Sequence, residues 1–168
     1  MTLIMIREAT TKDIPSIAKV RLRTLTKEEL RGFSASEFAY TSSIEGLQKV
    51  WDSGNRLKDG FEVFVAETEG RLVGYMMFKI EGKSGYIDDI VVAREEQGKG
   101  IGRALVAYVE SIARSKACSF MKTDTTENVA GIAWRSYGFW ARMGYEDIGE
   151  RLPTNYDFKE IPFIKKLK

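Results

Sequence analysis

The chain has 168 residues, of which 30% are charged and 43% hydrophobic, with a net charge of +2 and no histidine. That size suits one domain with a core that needs no staples, and the charge is too small to argue for nucleic acid or an anionic membrane. The lack of imidazole excludes Ser-His and Cys-His pairs and His-ligated metals, and the lone Cys118 excludes an internal disulfide and a thiolate metal site.

The N-terminal "MTLIMIREATTKD" has no basic region or long apolar stretch of a signal peptide, and no run approaches the ~20 apolar residues of a membrane span. The expectation is a single cytoplasmic domain over residues 1–168, without metal. "LIMIRE", residues 3–8, predicts a strand. Thr10 or Thr11 then offers a helix N-cap with Asp13 in the first turn, followed by Ile14, Ile17, Ala18, Leu22 and Leu25 at helical spacing. A second helix is predicted over about 36–53 through Phe38, Ile44, Leu47 and Trp51.

"FEVFVAETEGRLVGYMMFKI" predicts a hairpin turning at Glu69 and Gly70. "EGKSG" is the next turn, and "YIDDIVV", residues 86–92, is a third strand. A glycine-rich stretch leads into a helix reaching about Ala117, with Ile101, Leu105, Val109 and Ile112 on one face. "SFMKTDT" reads as a strand, residues 128–143 as a helix, "YEDIGERL" as a strand and "PFIKKLK" as a closing edge strand whose lysines discourage further pairing. The order β-αα-βββ-α-β-α-β-β is that of an α/β protein, a mixed sheet with helices on both faces. Cys118 is most simply a small buried residue.

"REEQGKGIGRAL", residues 94–105, alternates glycines ahead of the long helix. It is no P-loop, because Gly100 rather than Ser or Thr follows Lys99 and Ala93 stands where a glycine is needed. It is no dinucleotide fingerprint either, because Arg103 and Leu105 occupy glycine positions. What remains is strand, loop, Q-x-x-G-x-G, helix. Such a stretch is either a plain turn or a phosphate cradle, the latter favoured by unpaired amides at a helix start and by missing Cβ atoms.

"IDDIVVAREEQGKGIGRALVAYVE" resembles motif A of the GNAT superfamily of N-acetyltransferases. Val92 is the strand-end valine, and Gln97, Gly100 and Gly102 fill the fixed positions of the pattern. The resemblance implies the GNAT acyl-CoA N-acyltransferase fold and an acetyl-CoA co-substrate. It implies that amides around Gln97, Gly98, Lys99, Gly100, Ile101, Gly102 and Arg103 hold the pyrophosphate. Ile90, Val91 and Val92 would line the pantetheine arm.

Acetyl transfer to an amine needs a base, a polarised carbonyl and a route for the leaving thiolate. Without histidine, the base is a carboxylate or a water it positions. Strand alternation points Asp88 and Asp89 to opposite faces, and the resemblance to polyamine and amino-sugar-phosphate acetyltransferases favours Asp88; solvated or capping charges are the plain alternative. A strand amide near Val91 or Val92 would polarise the carbonyl.

The family's second signature, F-Y-x-K-x-G-F, is represented by "FWARMGY", so Trp140 stands where a tyrosine near the sulfur belongs. Indole cannot serve as a practical acid. Tyr137, three residues earlier and close to the same helix face, is the substitute candidate, or else a core or rim tyrosine. Asn128 loosely matches the asparagine before this helix.

Glu28, Glu29, Phe33, Phe38 and Tyr40 lie in the segment that walls the acceptor pocket in this fold. The expected partner is a small-molecule or peptide amine, with no nucleic acid and no membrane, and a homodimer is left open. The alternative function is a coenzyme A-binding regulatory module with little turnover.

Overall fold

The structure is a computed structural model that describes residues 2–26, 43–154 and 157–168. Two compact units interleave along the chain: Met1–Lys79 with Asp89–Val109, and Ile80–Asp88 with Glu110–Lys168. Among the described residues there are four α-helices and ten strands in a mostly antiparallel, mixed arrangement.

In the first unit, β1 (Met5–Glu8) pairs antiparallel with β4 (Glu62–Thr68). Thr10 caps the next turn from both sides: its side chain accepts from Lys12 N, and its own amide donates to Asp13 Oδ2 at 2.8 Å. A 3-10 turn (Thr11–Asp13) then runs into α1 (Ile14–Thr24). The buried stripe of α1 is Ile14, Ile17, Ala18, Arg21 and Thr24, whereas Leu22 is 52% exposed. Seven residues bring a helix back to nearly the same direction, so Arg21 takes the buried place below Ile14 that helical spacing alone assigns to Leu22.

The expected second helix is α2 (Ile44–Val50), capped by the Ser43 side chain on Gly46 N. Its predicted start lies outside the described residues. Its predicted end is corrected, because residues 51–53 are the strand β2 (Trp51–Ser53), which pairs with β3 (Arg56–Leu57) around a positive-φ Gly54. Trp51 closes this small hairpin by donating from Nε1 to Gly54 O at 2.8 Å.

β4 and β5 (Arg71–Glu81) form the expected hairpin, with Glu69 and Gly70 both at positive φ in the turn. β6 (Ser84–Val92) lies next in the strand order. A Cβ added at Gly74 would come within 3.1 Å of Val91 O, so this glycine lets β5 and β6 approach closely. α3 (Ile101–Ser115) follows β6, and its stripe Ile101, Leu105, Val106, Val109 and Ala113 is buried. Each buried Leu, Ile or Val contributes about 1.5–3 kcal/mol, which fixes the rotation of the helix.

In the second unit, β7 (Phe120–Glu127) pairs parallel with β6 only over Ser84–Tyr86. It pairs antiparallel along its whole length with β10 (Lys159–Lys166). The other side of β10 is covered by β8 (Glu146–Asp147) and β9 (Leu152–Pro153). The closing strand is therefore interior rather than an edge, and Lys165 bonds Glu110 at 2.9 Å instead of guarding a free edge.

The single strand expected over 145–152 is broken into β8 and β9 where Asp147 Oδ1 caps Gly149 N and Gly149 adopts positive φ. The helix expected over 128–143 shrinks to α4 (Ser136–Arg142). Asn128 Oδ1 accepts from the amides of Ala130 and Ile132, and Gly131 has positive φ, so a side-chain turn replaces the first helical turns.

Candidate active site

The glycine stretch is built outward from β6. Ala93 N donates to Val73 O at 2.8 Å, holding the strand end in the sheet. A 3-10 turn, Arg94–Glu96, follows, and Arg94 Nη2 reaches Thr24 O at 3.1 Å. Gln97 is extended and its Nε2 donates back to Val92 O at 2.9 Å. The motif's glutamine thus ties the loop to the last strand carbonyl.

Gly98 (φ 80) and Gly100 (φ 86) then take conformations that favour glycine, with open space where a Cβ would stand. Gly98 to Gly100 are exposed, whereas Ile101 is 2% exposed and pins the helix start into the core. The first helical bond is Ala104 N to Gly100 O at 3.0 Å. Among the described residues, no acceptor takes the amides from Gly98 to Arg103. This run of unpaired donors, with the helix dipole behind it, suits an anion with several oxygens. Lys99 pairs with Glu96 at 3.0 Å, and Arg103 is exposed at the same end. Val91 is buried, and Ile90 and Val92 are half-buried.

The two adjacent aspartates have opposite fates. Burial alternates along β6, leaving Asp88 exposed and Asp89 7% exposed. Asp89 is ion-paired with Arg21, and Tyr75 Oη donates to Asp89 Oδ2 at 2.9 Å. Burial pushes the Tyr75 phenol well above its ordinary range. Sequence reasoning misses Arg21 and Tyr75 because a charged residue on a helix is normally assigned to the solvent face.

In the second unit, Tyr137 is half-buried, its ring meeting Phe163 edge-on at 5.1 Å. Its hydroxyl donates to Asp147 Oδ2 at 2.9 Å. Arg151 grips both oxygens of Asp147 and also reaches Glu127 at 3.1 Å. The bond to Asp147 holds the Tyr137 phenol above its ordinary value, and Arg151 is the main reason that Asp147 falls to about 2. Trp140 is 2% exposed, between the rings of Phe139 and Tyr145 at 5.0 Å from each. Asn128 spends its side-chain oxygen on its own turn.

The same unit joins Tyr86 Oη to Asp124 Oδ2 at 2.6 Å, a pair that no motif signals. The acceptor-wall candidates Glu28, Glu29, Phe33, Phe38 and Tyr40 lie outside the described residues. Among the described residues, no three Asp, Glu or Cys side chains gather in a way that could hold a metal. No helix there is long and apolar enough to cross a membrane.

Comparison with known proteins shows the family. The model of the acetyltransferase (GNAT) family matches residues 22–145. An uncharacterised N-acetyltransferase of Methanocaldococcus jannaschii is 35% identical over 106 residues, covering 61% of this chain and 65% of that protein. A glucosamine 6-phosphate N-acetyltransferase of Trypanosoma brucei brucei is 28% identical over 141 residues, covering 77% of this chain and 90% of that protein. The crystal structure of the PaiA N-acetyltransferase of Thermoplasma acidophilum in complex with coenzyme A superposes with a TM-score of 0.70 at 15% identity, over 98% of this chain and 99% of that one. With the motif, the element order and the family match in agreement, the chain belongs to the acetyltransferase (GNAT) family.

Proposed function

We propose that the chain moves the acetyl group of acetyl-CoA to a primary amine by direct attack. The observation that carries this reading is the run of unpaired amides from Gly98 to Arg103, opened by two positive-φ glycines and backed by a helix dipole. These donors would hold the coenzyme's diphosphate, and Gln97 keeps them in place through Val92 O. The coenzyme supplies an activated thioester. The protein's part is to hold it, to polarise its carbonyl with an amide near Val91 or Val92, and to take a proton from the amine.

The outward face of β6, where Asp88 stands, is the natural side for that proton transfer, because Asp89 is committed to Arg21 inside the unit. The named activity of the trypanosomal relative makes an amino-sugar phosphate one acceptor to try. Calorimetry with coenzyme A, followed by thiol release from acetyl-CoA with glucosamine 6-phosphate, spermidine and an N-terminal alanine peptide, tests the reading. Coenzyme A binding with thiol release that depends on one of these amines is the expected result. No binding and no release would overturn it.

A further inference from the structure

Hydrogen bonds fasten both ends of the short turn between β6 and the glycines to strands. Ala93 N donates to Val73 O at 2.8 Å, and Gln97 Nε2 donates to Val92 O at 2.9 Å. A further bond leaves the sheet: Arg94 Nη2 donates to Thr24 O at 3.1 Å, across 70 residues of sequence. All of these residues belong to the first unit.

Thr24 is the last residue of α1, which stops where Leu25 turns extended. The last carbonyls of a helix have no amide of the helix to accept from, and they carry the negative end of its dipole. A guanidinium is a natural partner for such a carbonyl. Thr24 is also a firm support. It is 2% exposed, and Arg21, one turn earlier, is ion-paired with Asp89 on β6. The end of α1 is therefore bound to β6 ahead of the glycine loop and to the turn that opens it.

Arg94 works in two directions. Its side chain holds Thr24 O, and its own carbonyl accepts from Gln97 N at 3.4 Å. Gln97 leads directly into Gly98 and Gly100, which are exposed and at positive φ. Glycines add no stiffness of their own, so the direction of the loop amides is set by the turn before them and by buried Ile101 after them. We propose that Arg94 is a positioning residue for the coenzyme: anchored on the end of α1, it holds the amides from Gly98 to Arg103 in the arrangement that receives the diphosphate. This rests on the acetyl-transfer reading and deepens it by naming a residue ahead of the glycine motif that sets coenzyme affinity.

A loop out of place for part of the time binds more weakly in proportion to that time. Calorimetry with coenzyme A on wild type, Arg94→Met and Arg71→Met is the test. Arg94→Met keeps an unbranched apolar stem and loses the donor. Its Kd should rise about tenfold, as for a loop in place about a tenth of the time. Arg94 is exposed, so a thermal melt should show the variant folded at the temperature of measurement. Arg71 lies beside the same turn, 3.7 Å from Glu96. Arg71→Met removes the same charge without touching Thr24, and its Kd should stay within about twofold of wild type, as for an exposed, screened charge. In Arg94→Met the KM for acetyl-CoA should rise with Kd, while kcat at saturation stays within about twofold, because the seated coenzyme reacts as before. An unchanged Kd in Arg94→Met, or an equal loss in Arg71→Met, overturns the proposal.

A second measurement uses the protein without coenzyme. Backbone amide order parameters of Gly98 and Gly100 should be lower in Arg94→Met than in wild type. Equal values alongside weaker binding would make Arg94 a direct ligand of the anion and end its positioning role. A wild-type protein that binds no coenzyme A refutes the cradle reading, and this proposal with it. Wild-type binding that Arg94→Met leaves unaltered overturns this proposal alone.

Discussion

Arg21 and Asp89 form an ion pair inside the first unit, with side-chain exposures of 1% and 8%. Arg21 Nη1 also donates to Tyr75 Oη at 2.5 Å, and Tyr75 donates to Asp89, so the three close a ring of hydrogen bonds joining α1, β5 and β6. The two adjacent aspartates thereby divide their work. Asp89 neutralises a buried guanidinium, and Asp88 is left on the face that carries Tyr86.

The first prediction follows from that ring. A buried ion pair adds little net stability over an apolar replacement, but removing one partner strands the other charge, at a cost of about 3–5 kcal/mol. Arg21→Met and Asp89→Asn should each lose stability in that range by urea denaturation. The double variant should lose clearly less than the sum of the two. Additive losses would mean that the pair is not coupled.

The loop prediction is best made at Gly102. Gly98 and Gly100 sit at positive φ, so any side chain there strains the backbone before a ligand is considered. Gly102 lies in the first turn of α3 and is not among the positive-φ glycines. Gly102→Glu should lower coenzyme A affinity by about 10²-fold, through bulk and through a negative charge at the helix N-terminus. The thermal melt should stay close to wild type. Unchanged affinity by calorimetry would dismiss the cradle.

The β4–β5 hairpin and α3 are legible in the sequence because their signals are local: a turn pair at Glu69 and Gly70, and an apolar stripe from Ile101 to Val109. The loop is legible because its geometry depends on glycines and one glutamine. The failures involve partners far apart in sequence. Arg21 reads as solvated until Asp89 is seen beside it, and the Tyr86–Asp124 pair carries no sequence signal. The first half of the helix expected over 128–143 fails for another reason. Asn128 and Gly131 are turn formers, and the apolar Val129 and Ile132 imitate helical periodicity while being 81% and 63% exposed.

Acid stability should report the Arg151 grip on Asp147. The folded carboxyl sits at about 2 because of Arg151 first, against roughly 3.9 for an unfolded aspartate. A lowered folded value gives stability that is present above the unfolded value and is lost as pH falls toward 2. Asp13, lowered mainly by its bond to Arg7, contributes with the same sign. Thermal midpoints measured from pH 5 down to 2 should fall more steeply in wild type than in Arg151→Met. Parallel curves would mean that the grip does not persist in solution.

The last prediction concerns the leaving thiolate. The position where the family's signature has a tyrosine holds Trp140, which is 2% exposed between two aromatic rings. Trp140→Tyr would leave a gap and bury a hydroxyl, and should cost about 1–3 kcal/mol in a melt. Tyr137, the substitute candidate, donates its proton to Asp147, and that bond holds the phenol above its ordinary value. A phenol so engaged is a poor acid. A thiolate with a solution pKa near 8.5 can leave near neutrality without a dedicated donor. Tyr137→Phe should therefore cost about 1 kcal/mol of stability for the lost bond, while kcat stays well within about tenfold of wild type, far from the losses of 10²–10⁴ that follow removal of an essential acid. Steady-state kinetics at saturating acetyl-CoA on Tyr137→Phe, Trp140→Tyr and the double variant decide the matter. A drop of tenfold or more in Tyr137→Phe, rescued in the double variant, would return the acid role to a phenol at this helix.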